Sequence, residues 1–599
     1  MVPCHQRCIM KSSILSTYIL QMSHVLWHGH ILSMRCQCIV RLVITIALAG
    51  WQVGSIQGQE EGSNDKKIPF SMRGSVGASL TYGTNSGLGG TAPPLMYTIY
   101  GNTTMRIYNI DIPLSFSFSR GQLAYTLPFD RFGISPKYKW LTVHAGHRNM
   151  RFNQFTLAGR TFFGAGVEMN PGKFRFSAMY GRLQDALPFT PDLLEGFRFI
   201  RPTFSRRAYA IKVGVGTDAN HIDLSVFKGW DEEGSIPNVP DSLFITPEEN
   251  LALGINFRKA LFKRFSILGE AAASAYTQDV RKDNVLEDDQ FAFLQQLFAP
   301  KYSTRINTAI SAGLHYAHHT FNASLEYRRI DPYYQTMGAF YNLNDLENYT
   351  VNASWSGFNR TTLISASVGR EVNDLSGLRS SQTERWIGSL NVQYNSQGGV
   401  GIGAGYQNYS MSSGQFDPNF FNDTLRIIHQ MHTIFLQPNY SWGDGATILY
   451  STMANVNYQI IDDQSPLTSE FGDMRMASGS GNFQWMQLLT GWTYNFGVQY
   501  HQVISQLSGQ QRIGLTSMVA KRFKTSGIHL SGSGTLFRAI SEVVRSGLYS
   551  TIRFNSRIPI TKKQHFSAGI MWISRPGFIG GTGEQFNDIR INAGYQLSF

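Results

Sequence analysis

Ile589-Arg590-Ile591-Asn592-Ala593-Gly594-Tyr595-Gln596-Leu597-Ser598-Phe599 is the final stretch of a 599-residue chain, and its alternation decides the fold. Ile589, Ile591, Ala593, Tyr595, Leu597 and Phe599 fall on one side of an extended backbone. Arg590, Asn592, Gly594, Gln596 and Ser598 fall on the other. Period two is the signature of a strand, because successive side chains point to opposite faces. The pattern recurs upstream. Phe174, Phe176, Ala178 and Tyr180 oppose Arg175, Ser177, Met179 and Gly181, and Ile211, Val213 and Val215 oppose Ala210, Lys212 and Gly214. Leu251, Leu253, Ile255 and Phe257 oppose Ala252, Gly254, Asn256 and Arg258. Phe321, Ala323, Leu325 and Tyr327 oppose Asn322, Ser324, Glu326 and Arg328, and Leu548, Ile552 and Phe554 oppose Thr551, Arg553 and Asn555.

Two-faced strands suit a sandwich or a barrel, and the second face separates them. A solvated sandwich face is rich in Lys, Glu and Thr, whereas here it is Gly, Ser, Asn, Ala and Gln with sparse charge. Tyr, Phe and Trp gather near the strand ends of the apolar face, as in transmembrane barrels. Composition agrees. Charged residues are 15% of the chain, aromatics 13%, and Gly numbers 58, which excludes both a disordered chain and a coiled coil. A mean hydropathy of −0.18 excludes a polytopic helical membrane protein. The expected fold is all-β, a single large transmembrane antiparallel barrel, since only closure pairs every backbone group away from water.

Connections alternate in length. Thr217–Asn220, Ser356–Asn359, Asn395–Gly399, Trp442–Gly445 and Thr525–Gly527 read as short turns. Long polar links fall at about 183–205, 231–248, 277–303, 331–348, 372–384, 412–427 and 459–483. Short periplasmic turns and long external loops are the habit of outer-membrane barrels. The final strand ends on an aromatic, so Tyr595, Leu597 and Phe599 read as the signal for the barrel-assembly machinery, with a periplasmic C-terminus. From Phe70 onward about 24–26 strands are expected, with 120–170 ambiguous. A wall of that size encloses a lumen rather than a packed core. The first strand begins too early to leave room for a globular N-terminal plug, although a folded-in loop is an alternative partial plug.

The first 58 residues differ from the rest. They hold Cys4, Cys8, Cys36 and Cys38, four basic residues and no acid. Met34–Arg41 leads into the apolar run Leu42–Gly50, too short to span a bilayer and of secretory-signal form. The expected division is 1–33 as an over-long start with Met34 as initiator, 34–58 as signal peptide, and 59–599 as barrel. The exported part then keeps 48 basic and 40 acidic residues, a net charge of +8, and no cysteine, so no disulfide holds it together.

Two blocks stand out by content. One comprises Leu127-Pro-Phe-Asp-Arg-Phe-Gly-Ile-Ser-Pro-Lys-Tyr-Lys-Trp140 and Gly159–Arg182; the other is Asp331-Pro-Tyr-Tyr-Gln-Thr-Met-Gly-Ala-Phe-Tyr341 with Glu347-Asn-Tyr-Thr350. Together they resemble a large outer-membrane β-barrel family of Bacteroidota that is of undefined function. The resemblance spans most of the mature chain and implies the barrel and the compartment. It implies no substrate, cofactor or catalytic residue.

Parity assigns Arg175, Lys212, Asp223, Arg258, Glu326, Arg328, Arg553 and Arg590 to the lumen. A positive excess on low-dielectric walls raises the local anion concentration. For each residue singly, pairing with a neighbouring strand is the more ordinary role. His429 and His432 lie three apart, hence on opposite faces of a strand, and cannot converge on a metal. His315-Tyr-Ala-His-His319 falls at a turn. The acid clusters Asp231–Glu233, Glu287–Asp289 and Asp462–Asp463 read as solvated loop tips and lack calcium-loop spacing. Gly398–Gly405 alternates as a strand, so it is no phosphate cradle. No Ser-His-Asp trio is marked, and no basic-aromatic cluster calls for nucleic acid. No metal, cofactor or catalytic site is therefore expected. The expected function is a passive channel or transport pore for small polar solutes, with anions favoured. The alternative is a structural barrel subunit of a secretion, motility or surface-assembly machine. Expected partners are outer-membrane lipid, the assembly machinery and protein partners not identifiable from sequence.

Overall fold

A computed structural model describes residues 70–86, 95–120, 131–189, 201–237, 243–283, 298–339, 344–377, 381–415, 426–506, 509–541, 547–576 and 586–599. Arg73–Ser598 form one compact unit, described below; Met1–Met72 and Phe599 group separately. The first strands are β1 (Phe70–Ser86), β2 (Leu95–Ile107), β3 (Ile110–Arg120), β4 (Arg131–Ile134), β5 (Lys137–Tyr138) and β6 (Leu141–Asn149). Next come β7 (Thr161–Met169), β8 (Phe174–Gln184), β9 (Ser205–Gly216), β10 (His221–Glu232), β11 (Glu249–Leu261), β12 (Phe265–Thr277) and β13 (Thr304–Ala317). They are followed by β14 (Phe321–Ile330), β15 (Leu346–Gly357), β16 (Thr362–Asn373), β17 (Ser381–Asn395), β18 (Val400–Gln415), β19 (Ile427–Gly443) and β20 (Ile448–Asp463). The last are β21 (Met474–Gln487), β22 (Trp492–Ser505), β23 (Gly509–Arg522), β24 (His529–Ser541), β25 (Gly547–Thr561), β26 (Gln564–Arg575) and β27 (Phe586–Ser598).

Apart from β4 and β5, which do not pair with each other, each strand pairs antiparallel with its sequence neighbours, and β1 closes the ring on β27 from Ser75↔Ser598 to Ser86↔Asn587. β4 and β5 both lie between β3 and β6, so they are two pieces of one interrupted strand. The wall therefore has 26 staves. That interruption is why 120–170 defied a count from periodicity. Staves ~4.8 Å apart and tilted by ~40° enclose a ring roughly 50 Å across. Closure leaves no sheet edge, so the ladder satisfies the backbone without water.

The two faces fall as the alternation dictates. Ile211, Val213, Val215, Leu224, Leu325, Ile513, Leu515 and Ile591 stand exposed on the outer face, and Lys212, Gly214, Asn256 and Arg590 alternate with them on the inner. Short turns such as Thr217–Asn220, Phe358–Thr361 and Asp444–Thr447 all lie at one end of the ring, shared by Ser75 of β1 and Ser598 of β27. The long links, including 150–160 and the described residues 331–339, lie at the other. The turn expected at Ser356–Asn359 forms two residues later, because Ser356 and Gly357 still pair in the ladder.

An aromatic girdle runs around the outer face near the short-turn end. Tyr440 and Trp442 stack at 5.1 Å, Trp442 and Tyr450 at 5.5 Å, and Trp485 and Tyr494 at 5.1 Å. Rings with an apolar body and a polar tip sit where hydrocarbon meets headgroups.

Candidate functional site: two infolded loops in a charged lumen

Most inner-face residues of β9–β13 that face the middle of the ring are small. Ala208, Ala210, Gly229, Ala252, Gly254, Ala272 and Ala309 leave a hollow along the wall. Two long-end links fold into it. Met150–Arg160 turns back on itself through Phe152 N–H donating to Leu157 O at 3.0 Å, burying Phe152, Asn153, Thr156 and Leu157 almost completely. The segment following β14 brings in Tyr334, Thr336 and Met337, also buried. The loops join through a parallel bridge at Leu157↔Gly338. Tyr334 O–H donates to Phe155 O at 2.6 Å, Thr336 O–H to Thr156 O at 2.8 Å, and the Arg160 guanidinium to Met337 O at 2.9 Å. Phe152, Leu157 and Met337 then join Phe162, Met179 and Phe227 in a small apolar core inside the barrel.

The wall grips the loops through polar groups. Asn153 donates to Ile255 O at 3.2 Å, to Ala271 O at 3.3 Å and to the Asn256 side chain, and accepts from Phe155 N–H at 2.7 Å. Asn256 donates back to Phe152 O at 2.6 Å, and Glu270 accepts from Gln154 N–H at 2.6 Å and from Arg151 at 3.0 Å. Asn250 accepts from Met337 N–H at 3.1 Å. Glycine is required at position 254: a Cβ there would come within 2.7 Å of the Ser225 hydroxyl and 2.9 Å of the Thr156 methyl. Asn256 lies seven residues down β11 from the long-loop end, so the loop descends about 18 Å into the ring.

Near the mouth Arg206 pairs with Asp231 at 2.7 Å and Glu248 at 2.7 Å, and Tyr276 O–H donates to Glu248 at 2.6 Å. Burial pushes the Tyr334 hydroxyl upward, holding it protonated as the donor its bond requires. Deeper, Arg175 reaches Asp223 at 2.9 Å across an intervening strand. It does so over Gly214, where a Cβ would sit 2.0 Å from the Asp223 carboxylate. Arg175 and Asp223 begin a lateral inner-face row: Asp223↔Asn256↔Glu270↔Ser311↔Arg328↔Asn348↔Glu371↔Arg385. It continues through Met411 to His429 and Asp463. Arg385 pairs with Glu371 at 2.8 Å, and His429 lies 3.4 Å from Asp463.

The opposite sector is different. On β22–β27 the inner face shows exposed Gln499, Arg512, Arg553, Asn555, Arg557, Arg590 and Asn592. Arg522, His529 and Arg557 stand abreast on three adjacent strands. The one inward acid on these strands is Asp588, which pairs with Arg590 at 2.8 Å.

All eight residues assigned to the lumen by parity thus lie on the inner face, in unequal circumstances. Arg175, Asp223 and Arg590 are ion-paired; Lys212 donates to Arg151 O at 3.4 Å and lies over the Phe152 ring. Glu326 accepts from Ser324 at 3.3 Å, and Arg553 donates to Met571 Sδ at 3.3 Å. Arg258 and Arg328 are exposed and have no carboxylate partner among the described residues. Two of the acid clusters need correction. Asp231 and Asp463 are buried at strand ends, not solvated at loop tips, because each closes a polar network under the long loops. Glu287–Asp289 lies outside the described residues. His429 faces inward, while His432 faces outward with its Nδ1 hydrogen-bonded to the Tyr406 hydroxyl at 2.8 Å. No group of three His, Cys, Asp or Glu is placed to hold a metal among the described residues. Register-dependent partners such as Asn153, Glu270 and Arg206 carried no sequence signal of their own. Their neighbourhoods did, since Gly159–Arg182 and Asp331–Tyr341, the blocks behind the family resemblance, contribute the two loops' meeting point at Arg160, Met337 and Gly338.

Fold and interior define a class: a large closed barrel with an apolar outer belt and loops folded into a polar lumen. No protein-family model and no curated protein matches the chain. Solved structures show distant likeness. The chain is 11% identical to OccAB2 of Acinetobacter baumannii, over 59% of this chain and 92% of that one, with a TM-score of 0.29. The ferric enterobactin receptor PfeA of Pseudomonas aeruginosa is 9% identical over 88% and 80%, with a TM-score of 0.38. A P pilus tip assembly intermediate of E. coli, PapC-PapD-PapK-PapG, is 11% identical over 90% and 62%, with a TM-score of 0.41. Values this low carry nothing further about this chain.

Proposed function

We propose that the chain is a bacterial outer-membrane pore, narrowed on one side by the two infolded loops and passing polar solutes, anions in preference, along the other. Its short turns and C-terminus face the periplasm. Residues 34–58 export it, and Tyr595, Leu597 and Phe599 present it to the assembly machinery. One observation carries the reading. The loops occupy the β7–β14 sector, while the inner face of β22–β27 exposes Arg512, Arg553, Arg557 and Arg590 with a single inward acid. Fixed charge of one sign on a low-dielectric wall concentrates counter-ions. Reconstitution into planar bilayers tests it: stepwise conductance with anion preference is expected, and correctly folded protein without conductance contradicts it. A second reading, a barrel subunit of an export or assembly machine, is favoured by the ~50 Å ring, wider than small solutes need. Stoichiometric partners in solubilised membranes would support it.

A further inference from the structure

The outer face holds a hollow of about 670 Å³ across β23–β27 near the short-turn end. Two lateral rows build it. Lys521, Leu530, Ser556 and Ala568 lie abreast toward the turns; Val519, Gly532, Phe554, Ile570 and Ile591 lie abreast one step farther from them. The small side chains of Gly532, Ser556 and Ala568 form the floor between the walls of Leu530, Phe554 and Ile570. At the turn end the hollow meets the aromatic girdle, whose members Tyr494 and Trp492 stack at 5.9 Å. The Lys521 ammonium is fixed there, 4.6 Å from the Trp492 ring centroid and donating to Thr490 O at 2.6 Å.

The girdle sets the depth of the headgroup layer, so a cation beside Trp492 stands at phosphate level and the groove beneath it stands in hydrocarbon. We propose that this groove is a binding site for one anionic glycerophospholipid of the leaflet at the short-turn end. An acyl chain lies over Gly532, Ser556 and Ala568, and the phosphate meets Lys521. The apolar floor suits a chain, and the Lys521 cation fixed at the correct end supplies the charge complement. The inference rests on the outer face being lipid-facing, and not on the lumen conducting.

Native mass spectrometry of the whole barrel in detergent, with added dioleoylphosphatidylglycerol or dioleoylphosphatidylcholine, tests it. The wild type should retain phosphatidylglycerol about fivefold better, the preference one interfacial lysine supports. Lys521→Gln should abolish the preference, Ala568→Leu should lower retention of both lipids by filling the floor, and Arg538→Gln, outward on β24 nearer the long loops, should leave both unchanged. Equal retention of the two lipids by wild-type protein overturns the site. So does an unaltered preference in folded Lys521→Gln. Should a variant fail to fold, wild-type protein with a photoreactive acyl phosphatidylglycerol decides: labelling within 519–532 and 554–570 supports the site, and labelling spread evenly around the barrel overturns it. Protein that stays folded in detergent yet shows no preference refutes the lipid site while leaving the barrel and its lumen intact.

Discussion

Asn153→Ala should loosen the infolded loop without harming the barrel. The Asn153 carboxamide is fully buried and ties the loop to two strand carbonyls and to Asn256, and it also accepts the Phe155 N–H. Alanine removes all four bonds and strands the Phe155 donor. The two N–H hydrogens are shared among three acceptors, so with the accepted bond they count as three, and at about 0.5–1.5 kcal/mol for each the loss of docking free energy is about 1.5–4.5 kcal/mol. That corresponds to a ratio of docked to undocked loop lower by roughly 10- to 2000-fold. Hydrogen exchange with mass spectrometry reads this ratio directly. Amides of 152–158 should lose protection by that factor, while those of β24–β26, across the ring, should not change. Equal protection of 152–158 in variant and wild type would refute the claim that Asn153 anchors the loop.

Removing Arg175 with Arg175→Met leaves Asp223 buried beside Gly214 without its cation, and should cost about 3–5 kcal/mol in urea unfolding followed by heat-modifiable gel mobility. Arg175→Met with Asp223→Leu should recover most of that loss, and a double variant as weak as the single contradicts the pairing. Arg553→Glu with Arg557→Glu should move the reversal potential in a salt gradient toward cations. The effect should be clear at 0.1 M, where screening extends ~10 Å, and nearly absent at 1 M, where it extends ~3 Å. Asp444 accepts from Thr447 Oγ1 and from the N–H groups of Ile448, Thr447 and Ala446, which hold its carboxyl well below the ordinary carboxylate range. A depressed value means that the turn keeps this stabilisation above about pH 4 and loses it only as acid deepens. Carboxyl-carbon NMR of Asp444 should therefore show it still ionised at pH 3, and a midpoint near 4 refutes the capping.

Much of the architecture was legible because a barrel wall states its geometry in every strand. In Ile589–Phe599 the parity of Ile591 and Arg590 is enough to assign lipid side and lumen side, and short turns such as Thr217–Asn220 mark one end. Two things were not legible. Register sets which inner residues meet, and nothing in the local sequence says that Asp223 lies level with Glu270, or that Gly214 opens the way from Arg175 to Asp223. The folded-in loops were the other. Met150–Arg160 reads locally as a polar connection with scattered Phe and Leu, and its burial depends on alanines and glycines spread over five strands far along the chain. For the same reason Asp231 and Asp463 looked like solvated acids, although tertiary partners enclose them.

Inner and outer faces alternate residue by residue along each stave. Residues 59–599 contain no cysteine, so single cysteines can be placed at 551, 552, 553, 554 and 555 of β25 without background. In proteoliposomes treated with a membrane-impermeant thiol reagent, positions 551, 553 and 555 should react quickly, and 552 and 554 should stay protected until detergent is added. Uniform reaction at all five, or protection of the odd positions, would contradict a water-lined interior behind a lipid-facing wall.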